Sequence, residues 1–293
     1  MSKTVAVIGQ GAWGTALGNL LEQAGGRVLR LHHDDSLPEG VPAAVVLAVP
    51  AQRLRGTVST LNLPAGVPLL IAAKGIERDT GLLLHEVAAA LCPENPALML
   101  SGPSFAANVM QGLPVALTLA GQGAEKLASL LNSRACRVYH SDDAIGVAVG
   151  GALKNVMAIG CGIAMGAGYG ESARAALFTR GLAEMVRFGL ALGARADTFL
   201  GLSGVGDMVL TATSPLSRNY AFGLRIGAGG GVDMSALTEG VATASAALHR
   251  AVILGVPLPI TAAVAAIVTG ETDVKQAVAQ LLDRPAGKSE ALS

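Results

Sequence analysis

The chain has 293 residues, of which 51% are hydrophobic but only 3% aromatic, with 21 basic and 21 acidic residues. This length fits one large or two medium domains, whose core must be built mainly from alanine, leucine, valine and glycine. The balanced charge excludes a nucleic-acid partner that binds through a basic excess. Cys92, Cys136 and Cys161 have no metal-site or disulfide spacing. We therefore expect a cytoplasmic protein with reduced thiols.

Two apolar tracts are long enough to raise the question of a membrane span. The first, 144–170, carries Lys154 near its centre, where a charge costs roughly 2.5–3.5 kcal/mol on insertion scales. The second, 251–270, is broken in its first half by Pro257 and Pro259. The apolar run at the N-terminus is too short for a signal peptide. We expect core helices and no integral membrane segment.

Strand and helix patterns alternate through the first half of the chain. Apolar or β-branched runs predict strands at 4–8, 27–31, 43–49, 68–74, 97–102, 114–121 and 137–141. Helices are predicted at 14–23, between 50 and 64, at 81–91 and at 124–132. The continuous apolar runs are typical of strands in a parallel sheet. The alternation predicts a doubly wound α/β domain over 1–141. Beyond Asp142 only helical patterns remain, so 142–293 is predicted to be an all-α domain.

The first predicted turn holds a glycine motif, GQGAWG at 9–14. It follows a strand and opens a helix, which is the context of a dinucleotide-binding loop. Gly9 permits the tight turn, Gly11 lets the backbone approach a pyrophosphate, and Gly14 allows the helix to pack closely on the sheet. The helix N-terminus then faces the anion.

The residues after the second strand bear on the choice of cofactor. His32, His33, Asp34 and Asp35 follow Leu31. An acid at this strand end binds the ribose hydroxyls of NAD, whereas the histidines could accept the 2′-phosphate of NADP. The sequence leaves both cofactors open. A metal site here is an alternative that we do not expect, because adjacent residues rarely converge on one ion.

Polar clusters occur where a doubly wound fold places its ligands, at the carboxyl ends of strands. They are Lys74, the segment 101–104, Lys154, and the segment 201–223. Plainer interpretations stay open for several of these residues. Lys154 could extend its ammonium to solvent, Asp207 and Arg218 could form an ordinary ion pair, and Ser104 and Ser217 could be helix caps. Trp13 could be a packing residue.

Seven motifs in order span nearly the whole chain: VIGQGAWGTAL, AAKGIE, SGPSFA, SDDAIGVAVGGALKNVMAIG, ARAALFTRGLAEM, GVGDMVLTATSPLSRN and TEGVAT. Together they resemble the bacterial NAD(P)-dependent glycerol-3-phosphate dehydrogenases. The resemblance implies a Rossmann-type domain followed by a helical substrate domain, a homodimer, and a role in phospholipid synthesis. It implies NADPH- or NADH-dependent reduction of dihydroxyacetone phosphate to sn-glycerol 3-phosphate. A related dehydrogenase of another hydroxy compound and a non-catalytic nucleotide sensor are the alternatives.

The resemblance also implies roles for individual residues. Lys154 matches the catalytic proton donor and acceptor, and apolar surroundings with Lys74 nearby would draw its pKa toward neutrality. The implied substrate-binding residues are Lys74, Gly102, Ser104, Asp207, Ser217, Arg218 and Asn219. The implied cofactor-binding residues are Gly9, Gly11, Ala12, Trp13, Gly14, His33, Lys74, Ala106, Arg218, Leu237 and Glu239. No metal is implied.

The chain departs from this family after Asp34. Only DSLPEGVP separates Asp34 from the next predicted strand, where family members usually carry several dozen more residues. We expect one βα unit to be missing and one edge of the sheet to be smaller. Because this edge lies beside the adenine pocket, the cofactor preference does not follow from the resemblance.

Overall fold

The structure, a computed structural model, describes residues 4–37, 40, 42–232 and 238–283. Its N-terminal half is built on one seven-stranded sheet. The strands are β1 Thr4–Ile8, β2 Arg27–Leu31, β3 Ala44–Leu47, β4 Leu69–Ile71, β5 Ala97–Ser101, β6 Val115–Ala120 and β7 Cys136–Ser141. Each lies within or next to a strand predicted from the sequence.

The strands follow the order β2-β1-β3-β4-β5-β6-β7. The first five are parallel, whereas β6 pairs with β5 in antiparallel fashion and β7 runs parallel to β6. The β5–β6 pair is therefore the only antiparallel pair among the described strands. The β5–β6 connection holds only the five-residue helix α4, Ala106–Met110, so the chain turns back without a full crossover.

Helices cover both faces of the sheet. They are α1 Ala12–Gln23, α2 Leu54–Ser59, α3 Leu84–Leu91, α4, and α5 Ala124–Ala128. Alternate residues of β1 belong to different core clusters: Val5 and Val7 pack in one, Ala6 and Ile8 in the other. Since successive side chains of a strand point to opposite faces, the sheet is buried on both sides. The doubly wound fold predicted from the sequence is confirmed.

The strands end at Ser141, and the described residues beyond them form helices. These are α6 Ala144–Gly166, α7 Gly170–Ala191, α8 Asp207–Thr213, α9 Arg218–Gly227, α10 Glu239–Leu254, α11 Pro259–Thr269 and α12 Val274–Leu282. The Asp143 carboxylate caps α6 by accepting the Gly146 N–H at 2.8 Å. With 23 residues and a mean hydropathy of 1.6, α6 is long and apolar enough to cross a bilayer. However, 89% of its 18-residue apolar stretch is buried inside the protein. It is a core helix.

Glycines let α6 and α9 touch backbone to backbone. A Cβ at Gly162 would overlap the Tyr220 carbonyl oxygen of α9, and a Cβ at Gly223 would overlap the Ile159 carbonyl oxygen of α6. Gly166 and Gly227 repeat this arrangement one turn further along. The two helices are therefore held at a separation that no other residue type permits at these positions.

The sheet ends at β2 on one side. Among the described residues between Leu31 and Ala44, there is no further strand or helix. The edge is therefore smaller, as the short DSLPEGVP segment predicts, and the carboxyl end of β2 stands at the border of the sheet.

Candidate active site

The β1–α1 loop has the geometry of a dinucleotide-binding loop. Gly9 adopts φ +104°, a conformation that disfavours side chains, and a Cβ there would lie 2.5 Å from the Ala48 carbonyl oxygen. A Cβ at Gly14 would overlap the Gly9 carbonyl oxygen, so α1 packs directly on the loop. By contrast, Gly11, the N-cap of α1, faces open space. The three glycines thus divide into turn, approach and packing positions.

A cavity of about 810 Å³ extends from this loop to the helical half of the chain. It is lined from the sheet by Gly9, Gly11, Ala12, Trp13, His33, Lys74, Ser104 and Ala106, and from the helices by Lys154, Ser217, Arg218, Asn219 and Glu239. Trp13 Nε1 is buried and finds no acceptor within the described part of the chain. The open space at Gly11 and this spare donor both fit a bound nucleotide. Leu237, also expected at the cofactor, lies outside the described residues.

Lys154, Lys74 and Asp207 form one buried ion cluster. Lys154 Nζ donates to Asp207 Oδ1 at 2.6 Å, and Lys74 Nζ donates to Asp207 Oδ2 at 2.6 Å. Asp207 is fully buried, and Lys154 is 7% exposed. Asp207 begins α8, Lys154 lies in the middle of α6, and Lys74 follows β4, so three separate elements meet here. The carboxylate stands behind the two lysines and does not itself line the cavity.

Further contacts fix each lysine. Lys154 Nζ also donates to Thr211 Oγ1 at 2.9 Å, and Lys74 Nζ to the Gly102 carbonyl oxygen at 3.3 Å. An ammonium group has three donors, so each lysine keeps one for a ligand in the cavity. Gly102, with φ +137°, places its carbonyl toward Lys74, and the Ser104 hydroxyl donates to the same oxygen at 3.1 Å. Thus the Gly102 carbonyl, after the end of β5, holds Lys74, and Ser104 shares that acceptor.

Burial and neighbouring charges shift the pKa values of this cluster. Burial, followed by the charge of Lys74, lowers the pKa of Lys154 to about 8, although Asp207 acts in the opposite direction. Burial alone would raise the pKa of Asp207, but the charges of Lys154 and Lys74 hold it below its ordinary value. The site therefore keeps an ionised carboxylate beside an amine that titrates near neutrality.

The start of α9 forms the far wall of the cavity. Ser217 is its N-cap and accepts the Tyr220 N–H at 3.3 Å. Arg218, the first helical residue, is exposed, and it forms no ion pair with Asp207 within the described residues. A capped helix N-terminus beside a guanidinium is a site for an anion such as phosphate.

Asn219 links three helices rather than projecting freely. Its Nδ2 donates to Asn155 Oδ1 of α6 at 3.0 Å, and its Oδ1 accepts the Gly240 N–H of α10 at 3.1 Å. One Nδ2 hydrogen stays available. Asn219 therefore joins the start of α9 to α10 and to α6, the helix that carries Lys154.

Glu239 connects the helical half to the sheet. It begins α10, and its carboxylate accepts the Ala51 N–H from the short helix Ala51–Arg53 after β3. Burial raises its pKa, while Arg218 and, more weakly, Lys74 and Lys154 act against this. The cationic side chains that line the cavity thus outnumber the carboxyl groups there, which favours an anionic ligand.

Three contacts of the site were not foreseen from the sequence. Thr211 stands one turn after Asp207 on α8, so helical spacing could have revealed it. Asn155 follows Lys154 directly within the motif SDDAIGVAVGGALKNVMAIG, but the resemblance implies no role for it. Arg53, which lines the cavity near His33, gave no local signal, because only the fold brings these residues together.

A nucleotide loop of Rossmann type facing a buried lysine–aspartate cluster is the arrangement of a dinucleotide-dependent oxidoreductase. The family model for the N-terminus of NAD-dependent glycerol-3-phosphate dehydrogenase matches residues 40–127, and that for its C-terminus matches residues 143–279. The chain belongs to this family, as its seven motifs predict.

Individual relatives agree with this assignment. NAD(P)-dependent glycerol-3-phosphate dehydrogenase from Rhizobium etli is 45% identical over 323 residues, covering 97% of this chain and 99% of the relative. The enzyme from Mesorhizobium japonicum is 44% identical, with 96% and 92% covered. The crystal structure of glycerol-3-phosphate dehydrogenase from Coxiella burnetii superposes with a TM-score of 0.88 at 31% identity, covering 97% and 99%. Alignments longer than the 293 residues of this chain require gaps in it, in keeping with a lost segment.

Proposed function

We propose that this chain reduces dihydroxyacetone phosphate to sn-glycerol 3-phosphate, reversibly, and so supplies glycerophospholipid synthesis. The nicotinamide cofactor, NADP or NAD, supplies the hydride when it is bound. The observation that carries the proposal is the position of Lys154. A buried amine with a pKa of about 8 lies in one cavity with a nucleotide loop and a phosphate-type helix N-terminus.

Lys154 is the proton donor of the reaction. Hydride addition to the carbonyl carbon leaves negative charge on the carbonyl oxygen, and the spare N–H of Lys154 supplies the proton that completes the alcohol. A positioned general acid contributes about 10²–10⁴-fold. In the reverse direction the neutral amine takes the hydroxyl proton. Because its pKa lies near neutrality, both protonation states are accessible.

Lys74 and Asp207 assist in different ways. Lys74 retains one donor, which can polarise the carbonyl oxygen as charge develops there. Asp207 is shut off from the cavity by the lysines, so it acts as a positioning residue that orients both ammonium groups. It also offsets part of the cost of burying them.

Ser217, Arg218 and Asn219 bind the substrate phosphate at the start of α9. Phosphate binding at this remote end places the carbonyl near Lys154 and confines the reacting atoms, which lowers the entropic part of the barrier. Gly9, Gly11, Ala12, Trp13, Gly14, His33, Ala106 and Glu239 hold the cofactor, and Lys74 and Arg218 stand where substrate and cofactor meet.

The proposal also includes domain limits of 1–141 and 142–293, a cytoplasmic location and a homodimer. The last strand ends at Ser141, and the two family-model matches meet between 127 and 143. Val252 and Ile253 of α10 are 81% and 67% exposed, which gives a dimer an apolar contact surface. Light scattering of the purified protein tests the dimer.

The test of the activity follows the oxidation of NADPH and of NADH with dihydroxyacetone phosphate as the oxidant. We expect turnover by the wild type and a loss of about 10²–10⁴-fold in Lys154→Ala. Lys126→Ala is the matched control, because Lys126 is exposed on α5 and does not line the cavity. No turnover with either cofactor would refute the proposed function, and an active Lys154→Ala would refute the role of Lys154.

A further inference from the structure

One large apolar side chain at the active-site cavity is open to solvent. Among the large hydrophobic residues that are exposed in the described part of the chain, Leu216 is the one that lines this cavity. It is 67% exposed and lies in the connection between α8 and α9. Single exposed leucines are common on protein surfaces, but a leucine at the wall of a ligand cavity can be covered by the ligand.

The connection that carries Leu216 is a tight turn. The Ser217 N–H donates to the Ser214 carbonyl oxygen at 3.0 Å, which closes a four-residue turn over 214–217. Pro215 occupies the second position, where its fixed φ favours the turn, and Leu216 occupies the third. The Leu216 N–H also donates to Ser214 Oγ at 3.2 Å. The backbone therefore holds Leu216 in place without any contribution from its side chain.

The helix that follows does not bury this side chain. Leu216 immediately precedes Ser217, the N-cap of α9. An apolar residue at this position often packs against the fourth residue of the helix. In α9 the fourth residue is Ala221, which is exposed and too short to cover a leucine. Most of the Leu216 side chain thus stays available at the cavity.

A second apolar side chain lines the cavity from the sheet. Phe105 is half-buried and lies between Ser104 and the start of α4. Phe105 and Leu216 each adjoin a serine of the proposed substrate site, Ser104 and Ser217, in different halves of the chain. The lysines of the buried ion cluster line the same cavity. The substrate end of the cavity therefore combines cationic groups with two apolar side chains.

We propose that Leu216, together with Phe105, covers the bound substrate and nicotinamide and keeps water from the site of hydride transfer. The inference rests on the proposed function, which places the reacting atoms beside Lys154. Exclusion of water strengthens the interaction of the lysines with the negative charge that develops on the carbonyl oxygen. Since Leu216 loses its exposed area only in the complex, its burial also contributes to ligand binding.

The test measures how well acrylamide, a neutral quencher, reaches the nicotinamide of bound NADPH or NADH, whichever binds more tightly. sn-Glycerol 3-phosphate is added, because it fills the substrate site and cannot accept hydride from a reduced cofactor. Leu216→Ala should raise the quenching constant of this complex and weaken the binding of sn-glycerol 3-phosphate about tenfold. Leu216→Met keeps an apolar side chain of similar volume and should preserve both properties. Leu216→Asn has a similar size but is polar, so it should behave like Leu216→Ala.

Leu200→Ala is the matched control, because Leu200 is 65% exposed but lines a separate cavity that does not include Lys154. It should change neither measurement. Equal quenching in the wild type and Leu216→Ala, or an equal effect of Leu200→Ala, would overturn the proposal. Both measurements need binding but no turnover, so they are independent of the activity assay. A protected nicotinamide without reduction of dihydroxyacetone phosphate would contradict the proposed function alone.

Discussion

Lys154 reaches Asp207 across 53 positions of sequence, and their Nζ and Oδ1 atoms lie 2.6 Å apart with both side chains almost fully buried. The second oxygen of the same carboxylate is engaged by Lys74. The carboxylate therefore serves two amines at once, and loss of its charge leaves two cations close together in a poorly hydrated space.

Asp207→Asn should destabilise the protein. The substitution keeps the shape of the side chain but leaves Lys154 and Lys74 without a counter-charge. Removal of one partner of a buried pair costs about 3–5 kcal/mol. Urea unfolding followed by circular dichroism measures the loss. Asp197→Asn is the control, since Asp197 is 66% exposed and pairs with Arg195 on the surface, where solvent screens the pair and little loss of stability is expected. Equal losses in the two variants would show that the buried cluster has no special energetic role.

The rates in the two directions should depend on pH with opposite signs. Ketone reduction needs Lys154 as an ammonium group, so its rate should fall as pH rises through about 8. Alcohol oxidation needs the neutral amine, so its rate should rise through the same pH. Initial rates in both directions between about pH 6 and 10 measure the profile. A pair of profiles that change in the same direction would contradict the assignment of Lys154 as the acid and base.

The neighbours of Lys154 should move this profile in opposite directions. Asp207 raises the pKa of Lys154, and Lys74 lowers it. In Lys74→Gln the fall in reduction rate should therefore occur at higher pH, and in Asp207→Asn at lower pH. A less stable fold alone would lower the rate, but it would not move the midpoint of the pH profile in a defined direction. Shifts of the same sign in the two variants would show that charge does not control the proton donor.

Asn219→Ala should raise KM for dihydroxyacetone phosphate more than for unphosphorylated dihydroxyacetone. Loss of one hydrogen bond to a charged group costs about 1.5–3 kcal/mol, or roughly ten- to a hundredfold in kcat/KM. If Asn219 only holds α10 in place through Gly240, both substrates should suffer equally. The ratio of the two kcat/KM values separates binding of phosphate from support of the helix.

Gly223→Ala should destabilise the helical half of the chain, because the added Cβ meets the Ile159 carbonyl oxygen on α6. Overpacking of this kind costs about 1–3 kcal/mol. The matched control is Gly56→Ala on α2, where a Cβ meets nothing within 4 Å and the position is exposed. Alanine is the better helix former by about 1 kcal/mol, so Gly56→Ala should raise stability. Thermal unfolding of the two variants should give shifts of opposite sign.

The sequence predicted those parts of the fold that depend on local pattern. The motif and its place between a strand and a helix predicted separate roles for Gly9, Gly11 and Gly14, and the structure gives them distinct environments. The reversal of β6 and β7 was missed, because an apolar run does not indicate the direction of its strand. Only the short connection through α4 suggests that the chain turns back.

The site also contains residues that the sequence predicted and arrangements that only the fold determines. Lys74, Lys154 and Asp207 were selected from motifs in separate parts of the sequence, and folding brings them into contact. That Asp207 would stand behind the lysines was not foreseen, since burial depends on how α8 docks against α6. Arg53 could not be predicted from the sequence, because it approaches His33 only when β2 and β3 pair on opposite sides of β1.

The glycine contacts between α6 and α9 also determine which length of substrate the cavity accepts. Lys154 is carried by one of these helices and Ser217–Asn219 by the start of the other, and backbone touches backbone between them. Helices in such contact cannot slide to suit a different molecule. The distance from the Lys154 amine to the proposed phosphate site at the start of α9 is thus fixed. A hydroxyketone phosphate with one carbon more or fewer between its carbonyl and its phosphate would present the wrong atom to Lys154.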